Sequence, residues 1–181
     1  MKGILVTIST LLVSFSALAQ GTIQFSTFNS ARGVNAPVFY ADGRGIGEAY
    51  PGITAQLFLV GAGGALTALT PATTFNTGTT AANRYVVIPT SNVIVPGVPA
   101  GGSANIVMRV FNGPTFETSN TRGQTAPVLV NNLGGTPSGG GAPLQPAVLA
   151  GLQGIEIGVP EPSTLAFGLL GAAAFLLRRR R

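Results

Sequence analysis

The run best equipped for chemistry is Asp42-Gly43-Arg44-Gly45-Ile46-Gly47-Glu48, the most polar loop of the sequence. Asp42 and Glu48 are hard oxygen donors of the type that binds calcium, and the glycines would supply the tight turns that an oxygen cage needs. The further Asp and Asn positions of an EF-type loop are missing, so the two residues are weak calcium candidates. A glycine-rich hairpin in which Asp42 starts a turn accounts for the same pattern. These glycines do not form a dinucleotide fingerprint, because no helical pattern follows them. Gly61-Ala62-Gly63-Gly64 likewise lacks the Lys-Ser/Thr pair of a phosphate loop. Two carboxylates can run a glycosidase; Asp42, Glu48, Glu117 and Glu156 are available, and no spacing singles out a pair. Histidine and cysteine are absent, which removes the usual zinc and copper ligands, most activators of nucleophiles, and disulfides. The expectation is therefore a protein that is not an enzyme, with no catalytic residues and no cofactor. Phe39, Tyr40, Tyr50, Phe58, Tyr85, Phe111 and Phe116 could form a sugar-stacking platform, although core packing accounts for most of them and tryptophan is absent.

The elements that must position these side chains read as β. Thr22 to Asn29, Pro37 to Ala41, Thr54 to Val60, Arg84 to Ile88, Asn92 to Val95, Ala104 to Asn112, Pro127 to Asn131 and Ile155 to Gly158 are short runs. They are rich in Val, Ile, Phe and Thr, and Gly, Pro and Asn separate them. In the longest, Ile106, Met108 and Val110 fall on one face, and Asn105, Val107, Arg109 and Phe111 on the other. Strands at this spacing predict an all-β fold: a single antiparallel β-sandwich, Ig-like or jelly-roll-like, with a partly closed barrel as the alternative. Residues 20–158 make up that domain, with a Gly/Pro-rich loop at 134–146. Charged residues are only 8% of the chain, against about 25% in ordinary globular domains, while 45% are hydrophobic. A disordered chain has the opposite balance, so the middle is read as folded.

The formal charge of +5 does not describe that middle. Lys2 and Arg178 to Arg181 account for the excess, and between Gln20 and Ser163 five arginines face five acids. No basic patch offers itself to a phosphate backbone, so nucleic acid is not an expected partner.

The two ends are targeting segments by their physics. Residues 1–19 combine Lys2, a mostly apolar stretch from Ile4 to Phe15, and small residues at Ala17 and Ala19, which form an Ala-x-Ala site for signal peptidase. Export through the Sec translocon is implied. Residues 159–181 open with Val159-Pro160-Glu161-Pro162-Ser163, continue through an apolar segment at 164–177 and close on Arg178, Arg179, Arg180 and Arg181. Leu165 to Leu177 rises about 20 Å as a helix, short of the roughly 30 Å hydrocarbon core, a gap that snorkelling arginines and local bilayer thinning would narrow. The arginines form a cytoplasmic stop and place everything before them across the membrane. Pro160 and Pro162 bias the motif to an extended, non-helical form suited to a protease cleft.

This three-part tail resembles the PEP-CTERM sorting signal of exopolysaccharide-producing Gram-negative bacteria. The resemblance implies that Pro160, Glu161 and Pro162 are read by an exosortase-type processing enzyme. It also implies a transient inner-membrane anchor followed by release to the cell surface or the extracellular space, with exopolysaccharide as a candidate partner. Ala36-Pro37-Val38-Phe39, Asp42-Gly43, Ala55-Gln56-Leu57-Phe58, Phe75-Asn76-Thr77-Gly78 and Val107-Met108-Arg109-Val110-Phe111 are similar to stretches of PEP-CTERM proteins from verrucomicrobia and planctomycetes. That second similarity implies no activity. A structural or adhesive role for the β-domain is expected, with carbohydrate binding as the alternative.

Overall fold

The computed structural model describes residues 20–49 and 52–157. The expected signal peptide, with Ala17 and Ala19, lies outside them. So do Tyr50, the motif at Pro160, Glu161 and Pro162, the helix at 164–177 and Arg178 to Arg181. Among the described residues the structure is mostly β: twelve strands and one single-turn α-helix.

The body is built on β9 (Ala104–Phe111), the longest strand, which pairs along its length with β5 (Thr54–Val60). The sequence alternation dictates what this pair does. Leu57 opposes Met108 and Ala55 opposes Val110, and these four side chains, with Ile106, are fully buried on the inner face. Gln56 opposes Arg109 and Phe58 opposes Val107 on the outer face. On its far side β9 is flanked by β10 (Arg122–Gln124) and β11 (Val128–Val130). The far side of β5 carries β6 (Leu66–Ala68) and β7 (Thr73–Thr74). Thr125 joins the ladder at the gap between β10 and β11: its N–H donates to the Met108 carbonyl, and its Oγ1 accepts the Met108 N–H.

Three smaller pairings complete the body. β1 (Gln20–Ile23) pairs antiparallel with β8 (Val93–Pro99), and β2 (Phe28–Asn29) with β3 (Val34–Asn35). β4 (Val38–Tyr40) pairs with β12 (Ile155–Ile157). Ile23, Val93, Val95, Val38, Tyr40 and Ile157 join the inner face of the main sheet in one hydrophobic core. Each such aliphatic side chain contributes about 1.5–3 kcal/mol through burial, which suits a chain with no disulfide among its resources.

The structure departs from expectation in particular places. The β4–β12 pair is parallel and not antiparallel. More than a hundred residues separate the two strands, so no hairpin fixes their relative direction. Arg84 to Ile88 is not a strand. Ala81–Arg84 forms a 3-10 turn, and Val86 pairs only as an isolated bridge with Phe75. Backbone pairing is limited to the Asn76 N–H on the Tyr85 carbonyl and the Val87 N–H on the Thr74 carbonyl, and side chains add to it: Asn76 Nδ2 donates to the Tyr85 and Val86 carbonyls, and Thr27 Oγ1 accepts the Val86 N–H. The segment 134–146 is pinched at its base by reciprocal hydrogen bonds between Gly135 and Leu144, and tied to β1 by reciprocal bonds between Thr22 and Gly134. Beyond it, Leu149, Leu152 and Ile157 are buried. The one α-helix, α1 (Ile46–Ala49), is a single turn inside the polar glycine-rich run, anchored by the fully buried Ile46.

Candidate functional site

The glycine-rich run and the 3-10 turn at Ala81–Arg84 meet across a cleft of about 310 Å³ whose lining includes Asp42, Arg44, Glu48, Thr80, Asn83 and Arg84. Both calcium candidates therefore share one cleft, in company with two guanidinium groups. Asp42 Oδ1 accepts the backbone N–H of Arg44 at 2.9 Å, and Oδ2 accepts its Nε–H at 2.6 Å. The Arg44 N–H first, and then its guanidinium, hold the Asp42 carboxyl below its ordinary range. An exposed, firmly ionised aspartate suits a turn and not the work of a general acid, which needs a raised pKa. Glu48 Oε2 accepts from Nδ2 of the buried Asn83 at 3.1 Å, and the same nitrogen donates to the Gly78 carbonyl. Arg84 donates to the Gly43 carbonyl.

Gly43 of this run has a positive φ of 81°, while Gly45 and Gly47 have a packing reason. A Cβ on Gly45 would overlap the Asn83 side chain, and one on Gly47 would overlap the Asn76 carbonyl oxygen. The missing side chains of Gly45 and Gly47 make room for the Asn83 side chain and the Asn76 backbone, so this part of the run is not an open cradle. Among the described residues, no three of the residue types His, Cys, Asp and Glu gather where they could hold a metal ion. Glu117 pairs with Arg109 on the outer face of the main sheet, and Glu156 is exposed on β12 in register with Phe39. Of the four carboxylates, the structure brings only Asp42 and Glu48 to one place.

The aromatic candidates divide four ways. Tyr40 is buried in the core. Phe58, Phe111 and Phe116 gather on the outer face of β5 and β9 around Arg109, whose guanidinium carbon lies 4.9 Å from the Phe58 ring centroid and 4.1 Å from that of Phe116. Arg109 also donates to Gln124 Oε1 and Glu117 Oε1. Arg122 completes the stack 5.3 Å from Phe116 and donates to the Phe116 and Glu117 carbonyls. Phe39 lies under Arg84, which stands 6.0 Å from its centroid.

Tyr85 belongs to a different place. Its ring lies 4.8 Å from that of Phe28, tilted by 42°, and the two wall a cleft of about 350 Å³ with Ser26, Asn76, Val86 and Ile88. Phe28 and Ile88 were not expected to take part. Phe28 lies on the face opposite the buried Ile23, Phe25 and Thr27, and its ring is half-exposed. A further cavity of about 560 Å³ runs between β11 and residues 144–150 and is bounded by Arg32, Leu129 and Leu144. Arg32 donates across it to the Pro146 carbonyl.

Among the described residues no helix is long and apolar enough to cross a membrane. Residues 158–181 match the family model of the PEP-CTERM protein-sorting motif. No curated protein and no solved structure matches the chain. A β-rich body with a C-terminal sorting signal is the class of protein that these features define. The signal supports a PEP-CTERM protein, implies exosortase processing, and indicates export to the cell envelope or surface.

Proposed function

We propose that the chain is an exported, exosortase-processed protein of the cell surface or extracellular matrix. Its β-rich body is a structural or adhesive module with no catalysis of its own. The observation that carries this reading is the sorting motif at residues 158–181. In this reading the Sec translocon and signal peptidase act at Ala17 and Ala19, and the 164–177 helix holds the chain in the inner membrane until the tail is cut. The source is a Gram-negative bacterium of the verrucomicrobial or planctomycete kind. The body is a β-sandwich, its main sheet packed through Leu57, Ile106 and Met108 onto the layer formed by β1–β8 and β4–β12. One shared core is the support for that description.

Intact mass and fractionation of the protein in its native host test the proposal. The expected result is a surface or extracellular species that begins at Gln20 and has lost the arginine cluster. Full-length chain in the cytosol would defeat it. A second reading, a carbohydrate-binding module for exopolysaccharide, is favoured by one observation: the open aromatic cleft at Phe28 and Tyr85.

A further inference from the structure

The cleft between Phe28 and Tyr85, about 350 Å³, is roomier than the one of about 210 Å³ that Phe58, Phe111 and Phe116 line, and among the described residues no arginine lies over its rings. Phe28 is 50% exposed and Ile88 52%, so both present apolar surface to solvent at its rim. Its walls are nonetheless held in place. The Tyr85 hydroxyl donates to Asn35 Oδ1 at 2.8 Å, and Asn76 Nδ2 fixes the Tyr85 and Val86 carbonyls. Ser26 Oγ donates to the Phe28 carbonyl at 2.7 Å. Rings whose orientation is fixed before a ligand arrives lose little entropy on binding it. The volume of about 350 Å³ falls at the low end of the roughly 300–1,000 Å³ of small-ligand pockets.

The chemistry of the lining narrows the ligand. Ser26, Phe28, Asn76, Ala82, Tyr85, Val86 and Ile88 carry no formal charge, so neither a phosphate nor a carboxylate finds a counter-ion here. The polar atoms of the lining that remain available are neutral: the second lone pair of the Tyr85 hydroxyl and the Asn76 Oδ1, which suit hydroxyl groups. A pyranose with equatorial hydroxyls matches both features, because its C–H face is flat and apolar while its rim is all hydroxyl. We infer that this cleft is a sugar-binding subsite, taking one neutral, equatorially substituted pyranose ring of a polysaccharide against Phe28 and Tyr85. The inference rests on the carbohydrate-binding reading and gives it an address.

The test uses the full chain in a detergent without a sugar headgroup, titrated with cellohexaose and, separately, with a galacturonic acid hexamer. Tyrosine emission is a direct readout, since the chain has three tyrosines and no tryptophan. Saturable binding of cellohexaose and none of the charged hexamer is expected. Tyr85→Ala and Phe28→Ala, followed by calorimetry, should each weaken binding about tenfold, on the scale of losing one aromatic contact. Tyr85→Phe keeps the ring and should cost about threefold or less. Phe116→Ala, in the other aromatic cluster, should change nothing. The inference is overturned if folded wild-type protein does not bind cellohexaose, or if Phe116→Ala weakens binding as much as Tyr85→Ala. It also fails if the protein is a dimer that Phe28→Ala splits, since a second copy then covers the cleft. Surface display fails separately: cytosolic full-length protein that still binds cellohexaose defeats that reading alone, and processed surface protein that does not bind defeats only this one.

Discussion

Two aromatic clusters on the β-rich body use similar side chains to opposite ends. Around Arg109, the ring faces of Phe58 and Phe116 are occupied by one guanidinium, whose N–H groups are taken up in turn by Gln124 and Glu117. Around Tyr85, no cation intervenes among the described residues: the ring meets Phe28, at a tilt, and the space beside them is open. The first cluster turns its ring faces to its own guanidinium, leaves a smaller cleft of about 210 Å³ beside Phe58, Phe111 and Phe116, and acts as a clamp that pins the loop after β9 to the sheet. The second keeps its ring faces for something outside the chain. Aromatic residues as a type therefore say little about recognition; what matters is whether the protein has already covered their faces.

The largest expected effect of breaking this contrast is at the clamp. Arg109→Ala removes a cation stacked between two rings and leaves Gln124 and Glu117 without their donor. It should cost about 2–3 kcal/mol, given cation–π contacts of up to about 2 kcal/mol when desolvated and charged hydrogen bonds of about 1.5–3 kcal/mol gross. The corresponding fall in Tm is roughly 4–12 °C for a domain of this size. Arg109→Lys should recover less than half of the loss, because an ammonium cannot face two rings while reaching two acceptors. Thermal denaturation checks both, and a melting curve unmoved by Arg109→Ala would mean that the stack is only a surface decoration.

Phe116→Ala comes next. It removes the shared ring that Arg109 and Arg122 both cover and the edge-on partner of Phe111, 6.2 Å away. A half-buried ring of this kind should contribute about 1–2 kcal/mol, visible as a smaller shift in the same assay. If it exceeds Arg109→Ala, the rings and not the cation hold the loop.

At the open cleft the same substitution should matter less. Phe28→Ala and Tyr85→Ala are each expected to cost about 1 kcal/mol or less, since Phe28 is half-exposed and Tyr85 only partly buried. A double-mutant cycle should give a coupling of about 0.5–1 kcal/mol between the two rings. Coupling near zero would show that the two rings do not support one another and that the cleft is not pre-formed.

The contrast between the clusters was invisible before the fold. β5 and β9 were legible because they are long runs rich in apolar residues, with one fully apolar face in β9, and the C-terminal sorting signal because a motif read by another protein is contiguous in sequence. That Arg109 stands beside Phe58 depends on the register between these strands, and its contact with Phe116 on a loop returning over the sheet. Neither leaves a local trace. Arg84 to Ile88 misled for a related reason: Val86, Val87 and Ile88 have strand propensity, but the Val86 N–H goes to the Thr27 side chain and the Val86 carbonyl to that of Asn76, so backbone pairing ends after two bonds with 74–76. β6 and β7 were missed because two or three residues such as Leu66-Thr67-Ala68 carry no period. Asp42 and Glu48 were recognised as the polar centre of the chain, but their company in Arg44, Asn83 and Arg84 came only with the folded turn at Ala81–Arg84.

That polar cleft supplies the smallest expected effect, and a contrast with both aromatic clusters, since it is held by charge at full exposure. The Arg44 N–H and guanidinium depress the folded-state pKa of Asp42, so the ionised carboxylate stabilises the folded chain. That contribution is fully present above the ordinary aspartate pKa and is lost as the pH falls through the depressed folded-state value. Asp42→Asn removes the titration while keeping the side-chain shape. The difference in Tm between wild type and Asp42→Asn should therefore be constant from pH 7 down to about pH 5, then shrink through the region around and below about pH 4. It should also fall as salt is added, because an exposed pair is screened. A difference that grows as the pH falls would reverse the sign of the linkage and show that the carboxylate is strained by its surroundings. A difference indifferent to pH would assign the turn to Asn-compatible hydrogen bonding alone, leaving the charge at Asp42 with no part in holding the cleft.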